Sequence, residues 1–187
     1  LKAHDVEMRV MVPGYPSVKA AIVDRRVVYS FADLHGGPAA LVAGSARGLE
    51  LLVLDAPHLF DRPGNPYLGP DGVDWPYNWR RFGAFGLAAA LVGRGYVAEV
   101  VPYVVHCHDW QAGMAPAYLA FNAPTRTRSI MTVHNIAFQG RFDWDIFNEL
   151  RIDYRAAGEG AIEYFGGIGF LKAGLQTADA LTTVSPT

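Results

Sequence analysis

The chain has 187 residues, 51% of them hydrophobic and 18% charged, which is the balance of a folded globular protein and not of a disordered one. Its formal net charge of −2 comes from 16 basic and 18 acidic residues that are scattered along the chain, which argues against a nucleic-acid partner. No stretch approaches the roughly 18 consecutive apolar residues of a membrane span, and the single cysteine, Cys107, excludes an intrachain disulfide and fits a reducing, cytoplasmic setting.

The opening Leu1-Lys2-Ala3-His4 has neither an initiating Met nor a signal-peptide pattern. Residues 6–12 alternate apolar and polar side chains before Pro13-Gly14-Tyr15-Pro16, and read as a strand ending in a turn. Ile22-Val23 and Val27-Val28-Tyr29, split by Asp24-Arg25-Arg26, read as a β-hairpin. Residues 49–54 are nearly all apolar and suit a central strand covered on both faces. The Pro- and Gly-rich stretch 55–78 exceeds the roughly 12–15 residues of an ordinary structureless loop. Its aromatics Tyr67, Trp75 and Tyr77 mark it as ordered and functional. Asn78 is expected to cap a helix over 79–92, with Gly93 and Gly95 ending it.

From there strands and helices alternate: strand 100–107, helix 110–121, strand 129–133, a loop with short helices over 134–158, helix 167–177 and strand 180–184. The pattern predicts an α/β fold, a Rossmann-like parallel sheet with helices on both faces. The chain stops at Thr187, just after the last strand, and both ends read as cuts from a longer protein.

Ligands of such sheets bind outside the carboxyl ends of the strands. One predicted strand runs into His108-Asp109-Trp110-Gln111 and its neighbour into His134-Asn135. Asp, Asn, Gln and His supply the donors and acceptors that sugar hydroxyls need, and Trp75 or Trp110 could cover the apolar face of a ring. Plainer readings stand beside this. His106, after Val104-Val105, suits a satisfied core histidine, Asp109 can cap the helix that follows it, and Trp79 suits core packing. His134-Asn135, directly after a strand, has no such simple alternative.

Other functions fit some of the same residues. His106, His108, Asp109 and His134 make a conceivable ligand set for a metal-dependent hydrolase, although His106 and His108 flank the buried-looking Cys107. A nucleotide-phosphate site is disfavoured, because neither G-x-G-x-x-G nor G-x-x-x-x-G-K-[ST] occurs. A non-catalytic carbohydrate-binding domain is a further reading, against which stands the βαβ pattern.

The motifs resemble those of the bacterial glycogen synthases and plant starch synthases, glycosyltransferase family five. They run in order through Asp55-Ala56-Pro57-His58-Leu59-Phe60-Asp61-Arg62-Pro63-Gly64 and His106-Cys107-His108-Asp109-Trp110-Gln111-Ala112-Gly113. Next come Thr132-Val133-His134-Asn135-Ile136-Ala137-Phe138-Gln139-Gly140, Phe170-Leu171-Lys172-Ala173-Gly174-Leu175 and Thr183-Val184-Ser185-Pro186-Thr187.

The resemblance implies that residues 1–187 are part of the N-terminal, acceptor-side half of a two-domain GT-B glycosyltransferase. It implies glucose transfer from ADP-glucose to the 4-hydroxyl at the non-reducing end of an α-1,4-glucan, with retention, in glycogen biosynthesis and without a metal or cofactor. On that resemblance His134 and Asp109 are the catalytic residues, and Asn135, Trp110, Gln111, His108 and Trp75 bind substrate. The family's Lys-Thr-Gly-Gly-Leu loop would precede Leu1 and the nucleotide-binding domain would follow Thr187, so the fragment alone is expected to be inactive. Tyr103, Tyr77 and Cys107 depart from the family pattern, where Asp, Asp and Ala are common.

Overall fold

The structure is a computed structural model and describes residues 6–63, 65–158 and 160–185. The opening tetrapeptide, Gly64 and the closing Pro186-Thr187 of the last motif lie outside them. The chain divides into two units, one ending at Pro76 and the other beginning at Tyr77.

The first unit is built on a four-stranded sheet. Strand β1 (Val10–Pro13) leads into the short helix α1 (Pro16–Ala21), whose Pro16 supplies the fixed φ of a first helical turn. Then follow β2 (Val23–Phe31), β3 (Ala39–Ala46) and β4 (Leu49–Asp55). β4 lies in the middle, parallel to β1 and antiparallel to β3, which pairs antiparallel with the edge strand β2. As its composition implies, β4 buries Leu52, Val53 and Leu54. Ile22, Val42 and Val53 form a core cluster with Val12, Val18 and Leu51 against it.

The expected hairpin within 22–29 is not there. Ile22 closes α1 and residues 23–29 lie in one strand, with register shifts between Val23 and Arg26 and between Val27 and Tyr29, and with Asp24 at φ 52°. The charged triplet that imitates a turn is a bulge in an edge strand. The true partner, β3, turns into β4 through Arg47 and Gly48 at φ 50° and 76°, the paired left-handed geometry of a two-residue hairpin turn.

The described residues of the long loop carry local structure. It holds the turn α2 (Pro57–Phe60) and a bridge between Leu68 and Asp74, and Asn65 Oδ1 accepts from the amides of Tyr67 and Leu68.

The second unit opens with α3 (Asn78–Gly93). Asn78 does not cap it: Tyr77 holds the cap position, and Asn78 is buried inside the first turn, where its Oδ1 accepts from Arg81 at 2.8 Å. Strand β5 (Val104–His108) feeds α4 (Asp109–Ala112) and α5 (Met114–Phe121), followed by β6 (Arg128–Val133). The single helix expected over 110–121 is thus broken at Gly113. Strands β7 (Arg141–Phe142), β8 (Glu163–Tyr164) and β9 (Gly167–Gly169) form a small antiparallel sheet, so the helix expected from residue 167 begins only at α6 (Phe170–Thr177). β10 (Ala180–Thr183) completes a parallel sheet of order β10-β6-β5.

The core of this unit joins Cys107, Ala115, Met131 and Leu171, so helices cover the sheet face that carries Cys107 and Met131. Backbones approach closely there. A Cβ on Gly113 would lie 2.1 Å from the Phe170 carbonyl oxygen, and one on Gly174 would lie 3.0 Å from Gly113 Cα. Among the described residues, no helix is long and apolar enough to cross a membrane.

Candidate active site at the strand ends of the parallel sheet

Alternation along β5 sends Cys107 to the helix-covered face and His106 and His108 to the other. Cys107 is 3% exposed and burial pushes its thiol up to about 12, which makes it inert packing. The two histidine rings lie 4.4 Å apart. His106 is exposed, not a core residue; its Nε2 is 2.6 Å from Thr132 Oγ1, which in turn is 2.5 Å from Thr182 Oγ1 on β10.

His108 reaches forward to the next strand end: its Nδ1 is 2.9 Å from His134 Nε2. Burial above all, then the neighbouring His106 and His134, pulls the His108 pKa below its ordinary 6.5, while Asp109 acts in the opposite sense.

Asp109 sits at φ 53°, a left-handed backbone that Asp tolerates better than most residues. Its side chain does not cap its own helix, because His108 holds that position without a side-chain bond. Asp109 Oδ1 instead accepts from the amides of His134 at 2.7 Å and Asn135 at 3.2 Å. The carboxylate of one strand end therefore holds the backbone of the other.

The loop after β6 is stapled along its length. Asn135 Oδ1 accepts from the Ala137 amide, and Gln139 Nε2 donates to the Ile136 carbonyl. The first amides of α6, Phe170 and Leu171, donate to the Gly140 and Gln139 carbonyls. Gly140 at φ 60° lies under Trp110, where a Cβ would stand 2.4 Å from the indole. Trp110 is half-buried against Phe82 and Phe142, 4.9 and 6.1 Å between ring centroids, and forms a wall of the loop. Gln111 is half-buried in α4.

Of the residues singled out in the sequence, His106, His108, Asp109, His134 and Asn135 come together. Trp75 belongs to the first unit, where the Arg62 guanidinium lies 5.1 Å from its ring centre. Two features escaped sequence reading. One is the ring-to-ring contact of His108 and His134. The other is the exposure of Ile136 and Phe138, 69% and 62%, on the stapled loop. The Asn-Ile-Ala-Phe-Gln run places both in a loop, yet gives no sign that its polar side chains would be spent on holding it rigid.

The hydrolase reading fails on this geometry. The His108 and His134 rings pair with each other, Asp109 holds amides, and among the described residues no group of three or more His, Cys, Asp or Glu is placed to hold a metal ion.

The fold is an α/β domain whose parallel sheet carries clustered polar residues at two strand ends. The model of the starch synthase catalytic domain matches residues 1–187, and the chain belongs to that family.

Among curated relatives, the chain is 51% identical over 187 residues to a glycogen synthase of Rhodopseudomonas palustris (strain HaA2). It is 50% identical to glycogen synthase 2 of Bradyrhizobium diazoefficiens. In both cases the match covers 100% of this chain and 39% of the relative, so the chain spans about two fifths of their length. A solved structure with the same fold is the catalytic domain of starch synthase IV from Arabidopsis thaliana, bound to ADP and acarbose. The TM-score is 0.74 at 22% identity, covering 96% of this chain and 38% of that one.

Proposed function

We propose that this chain is part of the N-terminal, acceptor-side half of a glycogen synthase, working in the cytoplasm, with the nucleotide-binding half further along the same polypeptide. The reaction is transfer of glucose from ADP-glucose to the 4-hydroxyl at the non-reducing end of an α-1,4-glucan, with retention at C1. The bond from C1 to the ADP phosphate oxygen breaks, the bond from C1 to the acceptor oxygen forms, and the acceptor's proton leaves with the ADP. One observation carries the reading: His108, Asp109, His134 and Asn135 converge at two parallel strand ends in a chain of the starch synthase catalytic domain family. The names of the curated relatives, and the ADP and acarbose on the Arabidopsis enzyme, support the choice of substrates.

In this reading His134 lies against the donor glucose and steadies the positive charge that grows at C1. Asp109 fixes the His134 and Asn135 backbone through Oδ1 and turns Oδ2, which neither amide uses, toward a sugar hydroxyl. Asn135, Gln111 and His108 supply further polar contacts, Trp110 offers an apolar face to the acceptor, and Trp75, in the first unit, is a substrate contact on the family resemblance alone. Preorganised groups aimed at developing charge supply the largest share of such rate enhancements.

The test is incorporation of labelled glucose from ADP-glucose into glycogen by the longer polypeptide that contains this segment. Transfer is expected there and not with residues 1–187 alone. His134→Ala should lower kcat by about 10²–10³-fold. A rate near wild type would remove His134 from the reaction, and normal turnover by the isolated segment would show that no further domain is needed.

A further inference from the structure

His134 is held from two sides: its backbone amide by Asp109 Oδ1 at 2.7 Å, and its ring by His108 Nδ1 at 2.9 Å from Nε2. A hydrogen bond between two imidazole nitrogens needs one N–H and one lone pair, so two doubly protonated rings cannot make it and each tautomer of one ring dictates the tautomer of the other. His108 is itself anchored. It ends β5 opposite Thr132, and its ring lies on that of His106, which is fixed by the Thr132 hydroxyl and through it by Thr182. The contacts cross all three strands of the parallel sheet and end on the His134 ring.

We infer that His108 is a positioning residue: it holds the His134 ring in one orientation and one neutral tautomer, and this, beyond any sugar contact of its own, is its main contribution. The titratable groups facing His108 are His106, Asp109 and His134, and β6 meets it with the uncharged Thr132. Burial and the neighbouring rings lower the His108 pKa, which favours a neutral ring that can serve the pair as donor or as acceptor. The inference rests on the proposed role of His134, but half of its test does not depend on activity.

That half is long-range proton–nitrogen correlation NMR of the histidine rings in this chain. Wild type should show the two His134 nitrogens widely separated in shift, as one fixed tautomer. His108→Phe keeps the ring stack and removes the nitrogen, so the two signals should converge. His108→Asn, whose amide can sit where Nδ1 was, should keep them apart. His108→Gln, one methylene longer, should lose the separation and serves if the Phe variant lacks a dispersed amide spectrum. A fixed tautomer in both His108→Phe and His108→Gln would overturn the inference whatever the activity.

The other half is kinetics in the longer enzyme. His108→Phe should lower kcat about 10–100-fold, the scale of a misplaced catalytic group, with KM for glucan changed less than about threefold, and His108→Asn should recover most of the loss. An unchanged kcat, or an effect confined to KM, would also overturn it. If His134→Ala is itself harmless, the proposed function fails, and the NMR outcome still decides whether the rings are coupled.

Discussion

The Asp109 carboxylate spans from the first residue of α4 to the residues just after β6, and does so from a backbone at φ 53°. Strain of this kind gathers where geometry serves a function, and here two bonds from backbone amides offset it. Asn can adopt the same φ and still accept from both amides, so Asp109→Asn should cost about 1 kcal/mol of folding stability or less. Ala offers neither, and the left-handed strain with the loss of charge-assisted bonds should cost about 3 kcal/mol. Urea denaturation followed by circular dichroism measures the difference. Equal losses in the two variants would mean that the carboxylate's charge, and not its shape, holds the loop. The sequence made Asp109, His134 and Asn135 legible because the strand-end rule needs only the order of the elements. It could not make the His108–His134 contact legible, because that depends on the β5–β6 register and on rotamers.

Among the elements, α4, α5 and α6 meet through glycine. With a Cβ on Gly113 only 2.1 Å from the Phe170 carbonyl oxygen, backbone must move to admit a methyl group. Gly113→Ala should therefore destabilise the fold by about 3 kcal/mol, the upper range for overpacking. Gly93→Ala at the end of α3 meets the tip of Leu119 at 3.0 Å, and should change stability by about 1 kcal/mol at most, since the helix gains what the contact loses. Thermal melts of both would test this, and a mild Gly113→Ala would mean that the helices can slide apart. Phe170 and Leu171 also bond the loop that follows His134, so a Gly113 variant that still folds should lose more activity than stability.

The elements show where sequence reading stops. The βαβ alternation after residue 100 is legible because each strand is a short apolar run bounded by polar residues. Gly113 was read through, since its neighbours are good helix formers and the obstacle is a carbonyl of a distant segment. β3 was missed because its alanines, glycine and serine have low β-propensity, and its pairing with β2 and β4 decides its form. β7, β8 and β9 are too short for any local pattern to mark them.

At the scale of the whole molecule, each unit has its own sheet and its own buried cluster, and the residues proposed for chemistry sit mainly in the second. The first unit has a different problem, because its sheet ends in β2, an exposed strand nine residues long. Long edge strands invite pairing with other copies of the same chain unless charge and irregularity break them. Asp24, Arg25 and Arg26 sit in the bulged part of that edge, all exposed. Replacing them together, Asp24→Val, Arg25→Thr and Arg26→Val, should leave the secondary structure nearly unchanged. It should also make the protein self-associate as its concentration rises, measured by light scattering. A variant that stays as monodisperse as wild type would show that the charges play no such part. The three residues that disguise β2 as a turn thus bear on a property no single folded copy displays: how crowded a solution of this protein can become before its molecules begin to template one another.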